Sequence, residues 1–384
     1  MKIITKRVKC GDCNILCGKS EKLLIDCGSD NRGNGLSSQK FAFSKIKNEI
    51  NNREITDLLI SHFHQDHFNG ILEIPDSYRF KNVYLPYSII DRKVPYTKAI
   101  ARLLAIAPPN SQGFKVSKKI IKLFEKLKKI SNNTHFVKEG DPIPIENDKI
   151  TVLWPEIVKP KSKFNNYDII EKKFEESFNQ IVNKKNNEFS ELVLMFVKSF
   201  DKYLLSFQNG ENDISSSVEE VYNLLNTKRT EFLKELDNDT LQMIKNFSLQ
   251  QCHWLITSMN ATSVVCHIED RFIFLGDAPK DIVDHIHQCF SKHYKFVKIQ
   301  HHGTKAHFSD KTPIGKYNLI SNGGFEKRKV SKKYINTNNK INNFIICTNA
   351  HKQPYKFCEY NNSIFQNLCK LNCIKVSKQF ITYV

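Results

Sequence analysis

Residues 62–67 read HFHQDH, placing His62, His64 and His67 with Asp66 inside six positions. In an extended or tightly turning segment, His62 and His64 project toward one point while Asp66 and His67 reach a neighbouring one. Imidazole and carboxylate together suit zinc, and also manganese or iron where the carboxylate share is higher. So many polar rings directly after an apolar strand cost desolvation free energy unless an ion compensates them. The segment points to a metal centre with one or two divalent ions, Zn2+ or Mn2+.

The element that delivers this segment is the strand DLLIS at 57–61. Before it, KIITKRVK, NILC and KLLIDCG read as short strands, with a helix near 38–50. NVYL (82–85), HFV (135–137) and ITVLW (150–154) continue the strand pattern. Residues 117–130 put Ile120, Leu123, Phe124, Leu127 and Ile130 on one helical face. Lysines cover most of the remainder, either solvated or turned toward phosphate. From about 160 to 250 the chain is charged, Asn-rich and helical, and strand character returns near HWLIT (253–257) and TSVVCHI (262–268). RFIFLGDA, a helix near 279–291, FVKIQHHG, NLISNGG, NFIICTN and a closing strand pair complete it. The expected division is two halves of one α/β domain, 1–159 and 251–384, around a helical insertion at 160–250. That insertion would serve as a lid or as a surface for a protein partner.

With 384 residues and 40% hydrophobic content, the chain can bury a substantial core, which excludes a disordered tail or a minimal scaffold. The opening MKIITKRVKCGD reaches charged and turn residues before the apolar core of a signal peptide could form. No apolar run approaches the roughly 20 residues that span a bilayer. Eleven scattered cysteines, an odd number, suit a reduced compartment better than a disulfide framework. The expectation is a cytoplasmic protein without a membrane partner, in which Cys10 and Cys13 of CGDC are structural or incidental. A net charge of +18 favours a polyanion, with nucleic acid the first candidate. The excess is mostly Lys in an Asn- and Ile-rich chain, a bias that genome composition also produces.

HFHQDHFNG resembles the HxHxDH signature of the metallo-β-lactamase superfamily. The resemblance implies a four-layer αβ/βα sandwich, here with the helical insertion. It also assigns roles: Asp26 of LLIDCG orients a ligand histidine, Asp277 of FIFLGDA bridges the metal positions, and a histidine of KIQHHG is a further ligand. His301 and His302 adjoin, and strand alternation would point them in different directions, one to metal and one to substrate. Gly303 and Thr304 suit contact with a phosphate oxygen. The opening VKCGDCNILC, together with NATSVV and HHGT, is similar to the soluble ComEC-like, competence-type branch. Many members of the superfamily carry another metal histidine where this chain has Asn260, near Ser263, so one position would be short of a protein ligand. Ser321, Asn322, Gly323 and His351 are weaker candidates for the pocket border.

The implied chemistry is hydrolysis by a metal-bound hydroxide, because a divalent ion brings the pKa of its water from 15.7 toward about 7. Asp66 would take or orient the proton, and His301 or His302 would stabilise charge on the phosphoryl or leaving group. The leading substrate is a DNA or RNA phosphodiester. A small ester, lactone or phosphocholine-type compound is the alternative, and an interaction module within a larger assembly is a third.

Overall fold

The structure, a computed structural model, describes residues 1–30, 35–91, 94–156, 167–182, 187–209, 215–322, 330–331, 333–334, 344–347, 373–375 and 379–383. Two mixed sheets face each other. The first contains β1 (Lys2–Lys6), β2 (Cys13–Cys17), β3 (Lys22–Cys27), β4 (Asp57–Leu59), β5 (Phe80–Pro86), β6 (Ser131–Val137) and β15 (Gln379–Tyr383), ordered β15-β1-β2-β3-β4-β5-β6. The second contains β7 (Pro142–Ile145), β8 (Asp148–Trp154), β9 (Val265–Ile268), β10 (Phe272–Phe274), β11 (Tyr294–Lys298), β12 (Gly315–Ile320), β13 (Phe344–Cys347) and β14 (Cys373–Lys375), ordered β14-β13-β12-β11-β10-β9-β8-β7. Each begins with antiparallel neighbours and continues with parallel ones, from β3 to β6 and from β10 to β14.

Side-chain alternation along these strands builds the layers. In β3, Leu23 and Ile25 face the second sheet, whereas Leu24 and Cys27 face the helices outside the first. In β10, Phe272 and Phe274 enter the space between the sheets, and Ile273 turns outward toward Ile282 and Val283. The latter two belong to α10 (Lys280–Ile286). The four-layer α/β sandwich expected from the sequence is the observed architecture.

The outer layer on the first sheet starts with α1 (Ser38–Phe43), α2 (Lys47–Asn51), α3 (Gln65–Phe68), α4 (Tyr96–Ile106) and α5 (Gln112–Ile130). Ser111 caps α5 by accepting from the Phe114 amide at 3.3 Å. Its apolar stripe, including Ile120, Leu123, Phe124 and Leu127, is buried. Four more helices cover this layer: α6 (Tyr167–Val182), α7 (Asn187–Asn209), α8 (Ser215–Lys234) and α9 (Asn238–Ala261). Phe178, Phe196, Phe200, Phe247 and Leu255 share one apolar core with Leu104 and Phe124. Arg102 of α4 holds Glu171 of α6 through two hydrogen bonds of 2.8 and 3.0 Å. These four helices are thus packed onto the sandwich through a shared core.

Two local expectations are corrected. HWLIT is not a strand: it lies inside α9, where Cys252, Leu255 and Met259 supply the buried helical stripe. The closing strands do not pair with each other. β14 joins β13 in the second sheet and β15 returns to β1 in the first, because each edge offers an open ladder. No helix among the described residues is long and apolar enough to cross a membrane.

Candidate metal centre

The chemistry-bearing residues gather at the carboxyl ends of parallel strands, the edge at which α/β sheets bind ligands. Asp26 is the penultimate residue of β3, His62 to His67 follow β4, Asp277 follows β10, and His301 and His302 follow β11. In the loop after β4 the side chains separate by face. Phe63 enters the helical core, 5.6 Å from the Phe124 ring centroid. His62 and His64 turn together, with ring centroids 4.6 Å apart, and His67 lies 4.1 Å from His62.

Two glycines permit the close approach this requires. A Cβ on Gly28 would sit 2.3 Å from the Asp66 carbonyl carbon and 2.4 Å from the His67 nitrogen. Gly11 has φ +142°, and a Cβ there would meet the Gly28 and Asp66 carbonyl oxygens at 2.3 and 2.7 Å. Backbone bonds close the cradle: the Asp12 amide donates to the Asp66 carbonyl and the Gly28 amide to the Asp12 carbonyl, both at 3.0 Å.

Each ring is held from behind. The Ser61 amide donates to Asp26 Oδ1 at 2.7 Å, and Asp26 Oδ2 lies 2.8 Å from His67 Nδ1, leaving His67 Nε2 toward Asp277 at 3.4 Å. His62 Nδ1 meets the Ser61 hydroxyl at 3.1 Å, and its Nε2 lies 3.7 Å from Asp277. His64 Nε2 donates to the Ile256 carbonyl of α9 at 3.1 Å. A carbonyl only accepts, so the proton sits on Nε2 and the Nδ1 lone pair is available. His302 Nε2 lies 3.1 Å from Asp66 Oδ2 and 3.7 Å from Asp277 Oδ2. His301 Nδ1 is 3.1 Å from Asp277 Oδ2, and its ring stacks on His307 at 3.6 Å.

His301 and His302 are not strand-alternating residues. β11 ends at Lys298, and both have left-handed backbones, with φ of 43° and 57°. This turn, not a pleat, puts His302 deep and leaves His301 on the cleft. Asn260, in the last turn of α9, lies beside His301, its Nδ2 3.4 Å from Nδ1. Ser263 accepts from the Asp277 amide at 3.3 Å and so supports the aspartate turn. Thr304 donates to the His301 carbonyl at 3.1 Å, and a Cβ on Gly303 would press on Ile320 at 3.0 Å. These two shape the histidine turn. Ser321 and Asn322 are buried at the end of β12; Gly323 and His351 lie outside the described residues.

Asp12 and Lys298 also belong to this constellation, although sequence reasoning did not single them out. Lys298 Nζ lies 2.9 Å from Asp12 Oδ2, with both residues buried. The GD turn carried a signal for Asp12. Lys298 carried none, since a lysine in a strand ordinarily reads as facing solvent.

Four buried carboxylates, Asp12, Asp26, Asp66 and Asp277, therefore face a few buried cations. Burial lowers the pKa of His62 well below its usual value and that of His64 to about 4, so both rings are neutral and ligand-competent. For Asp66, burial raises the pKa, but the His302 hydrogen bond and the His67 charge outweigh it and keep the carboxylate ionised. His67, His301 and His302 do the same for Asp277. Burial opposes the charge on Lys298, yet Asp12 and Asp277 hold its pKa above the usual value.

His62 Nε2, His67 Nε2, His302 Nδ1 and Asp277 Oδ1 are buried without a hydrogen-bond partner among the described residues. Such atoms are costly unless an ion engages them. Ligand atoms of His62, His64 and Asp277 fall within 4.8 Å of one another, as do those of His67, Asp277 and His302. The donor set fits a divalent-metal centre: the two groups, which have Asp277 in common, would hold one or two ions. The cleft above is walled by Phe63, Gln65, Val116, Lys119, Ile256 and His301, so α5 and α9 form its sides.

Residues 11–89 match the family model of the metallo-beta-lactamase superfamily. That stretch runs from the GD turn through HFHQDH, and the layered architecture is consistent with the same fold. No curated protein sequence matches the chain.

Proposed function

We propose that this chain is a metal-dependent hydrolase of phosphodiesters, with DNA or RNA as substrate. Its metal-hydrolase character rests on the superfamily match and the converging His and Asp clusters. The observation that carries the phosphodiester reading is Lys119, which lines the cleft beside Gln65 on the lysine-rich helix α5, in a chain of net charge +18. A cation beside a metal centre suits a substrate that keeps one negative charge per linkage.

His62, His64 and Asp277 would hold one ion, and Asp66, His67, Asp277 and His302 the other. When bound, the ions make a nucleophilic water available at neutral pH and neutralise phosphoryl charge. Asp66, kept ionised by its neighbours, accepts or orients the water proton. Asp26 fixes the His67 ring, and His301 on the cleft surface donates to the phosphoryl or leaving oxygen. Lys119 binds a flanking phosphate. The apolar walls Phe63, Val116 and Ile256 favour a second reading, a small ester or lactone substrate.

The test is cleavage of end-labelled single- and double-stranded DNA and RNA by protein loaded with zinc or manganese. Cleavage lost in Asp66→Ala is the expected result. Intact nucleic acids alongside hydrolysis of a lactone or carboxylic ester would replace the first reading with the second.

A further inference from the structure

Cys10 lies in the loop after β1, 56 positions before Asp66 in the chain, and is buried. One ligand atom each of Cys10, Asp66 and His302 lies within 4.8 Å of the other two. The approach is built into the backbone. The left-handed Gly11 lies against Gly28 and Asp66 where no Cβ fits, and the Asp12 amide is bonded to the Asp66 carbonyl. On the other side, the Asp30 amide donates to the Cys10 carbonyl at 2.8 Å and the Ser29 hydroxyl to the Val8 carbonyl at 2.7 Å. The loop that carries the thiol is therefore fixed to the start of α3, which carries Asp66. The third member, His302, turns its Nε2 to Asp66 Oδ2 at 3.1 Å, so the two partners of the thiol already face each other.

We propose that Cys10 is a thiolate ligand of the ion held by Asp66 and His302, giving that position a sulfur, oxygen and nitrogen donor set. This rests on the reading of the site as a metal centre and adds to it a choice of ion. Thiolate, carboxylate and imidazole all bind zinc, whereas manganese favours oxygen donors and gains little from sulfur. On binding, the S–H bond breaks, the proton leaves to solvent and the sulfur lone pair forms the bond to zinc, with no change of oxidation state. This assigns Cys10 a direct role in place of the structural or incidental one expected from the sequence.

The experiment loads the full chain with cobalt and follows sulfur-to-cobalt charge-transfer absorption in the near ultraviolet. The band should accompany loading of wild type, persist in Cys289→Ser, which removes an exposed thiol, and vanish in Cys10→Ser. Zinc affinity at that position should fall in Cys10→Ser by more than the roughly 10–100-fold that a supporting residue costs, with manganese affinity nearly unchanged. X-ray absorption of zinc-loaded wild type needs no variant and should show a sulfur shell at about 2.3 Å. A fully loaded wild type without sulfur coordination, or a Cys10→Ser protein that keeps the band, overturns the assignment and leaves the metal-hydrolase reading standing. A wild type that binds neither cobalt nor zinc overturns both.

Discussion

Asp26 and His67, 41 positions apart in sequence, are joined by a 2.8 Å contact between Oδ2 and Nδ1. The carboxylate fixes the ring and raises its basicity, leaving Nε2 facing Asp277. Asp26→Asn should lower zinc affinity by about 10–100-fold while the circular dichroism spectrum stays native. Equilibrium dialysis of the variant checks this, and unchanged affinity would remove Asp26 from the supporting role.

Gly28 tests the cradle without touching a ligand. Ala at this position drives a methyl into the Asp66 and His67 backbone. The expected cost is about 1–3 kcal/mol in denaturant unfolding, together with weaker metal binding. A variant as stable and as metal-competent as wild type would show that the loop relaxes freely.

Much of this site was legible in the sequence because its ligands follow short apolar strands. DLLIS, KLLID and FIFLGD each announce a buried strand and then a polar residue at its end. The histidine turn was harder, since positive φ at His301 and His302 cannot be read from residues that are not glycine. Lys298 was hidden because its cost is met by Asp12, nearly 300 positions away. The role of α9 was hidden too: HWLIT has strand-like composition, and only its packing on α4 and α5 makes it the helix whose Ile256 carbonyl holds His64.

Metal loading should release protons at pH 7. Burial opposes charge on His67 and His302, but for His67 the carboxylates of Asp277 and Asp26, and for His302 that of Asp277 with the Asp66 hydrogen bond, raise both pKa values. Because those values are raised, the stability these rings lend the ion-free protein is complete below about pH 6.5 and fades as pH rises through the folded values. An ion must displace these protons, whereas His62 and His64 are already neutral. Calorimetric titration in buffers of different ionisation heat should therefore show proton release that shrinks as pH is raised. Buffer-independent heats at pH 7 would contradict this assignment.

Lys119 separates the two substrate classes. Lys119→Ala should raise KM for a nucleic-acid substrate about tenfold, the value of one charge-assisted contact, with little change in kcat. The wild-type KM should climb with salt. A neutral ester substrate would respond to neither change.

The most direct measurement is metal stoichiometry of wild type and Asp277→Ala after dialysis against limiting zinc. The converging loops predict two ions per wild-type chain, since the His62–His64 and His67–His302 groups share Asp277, and loss of tight binding when that carboxylate is removed. A wild type that retains no zinc, or an Asp277→Ala protein that retains the full load, would contradict a centre built around this residue.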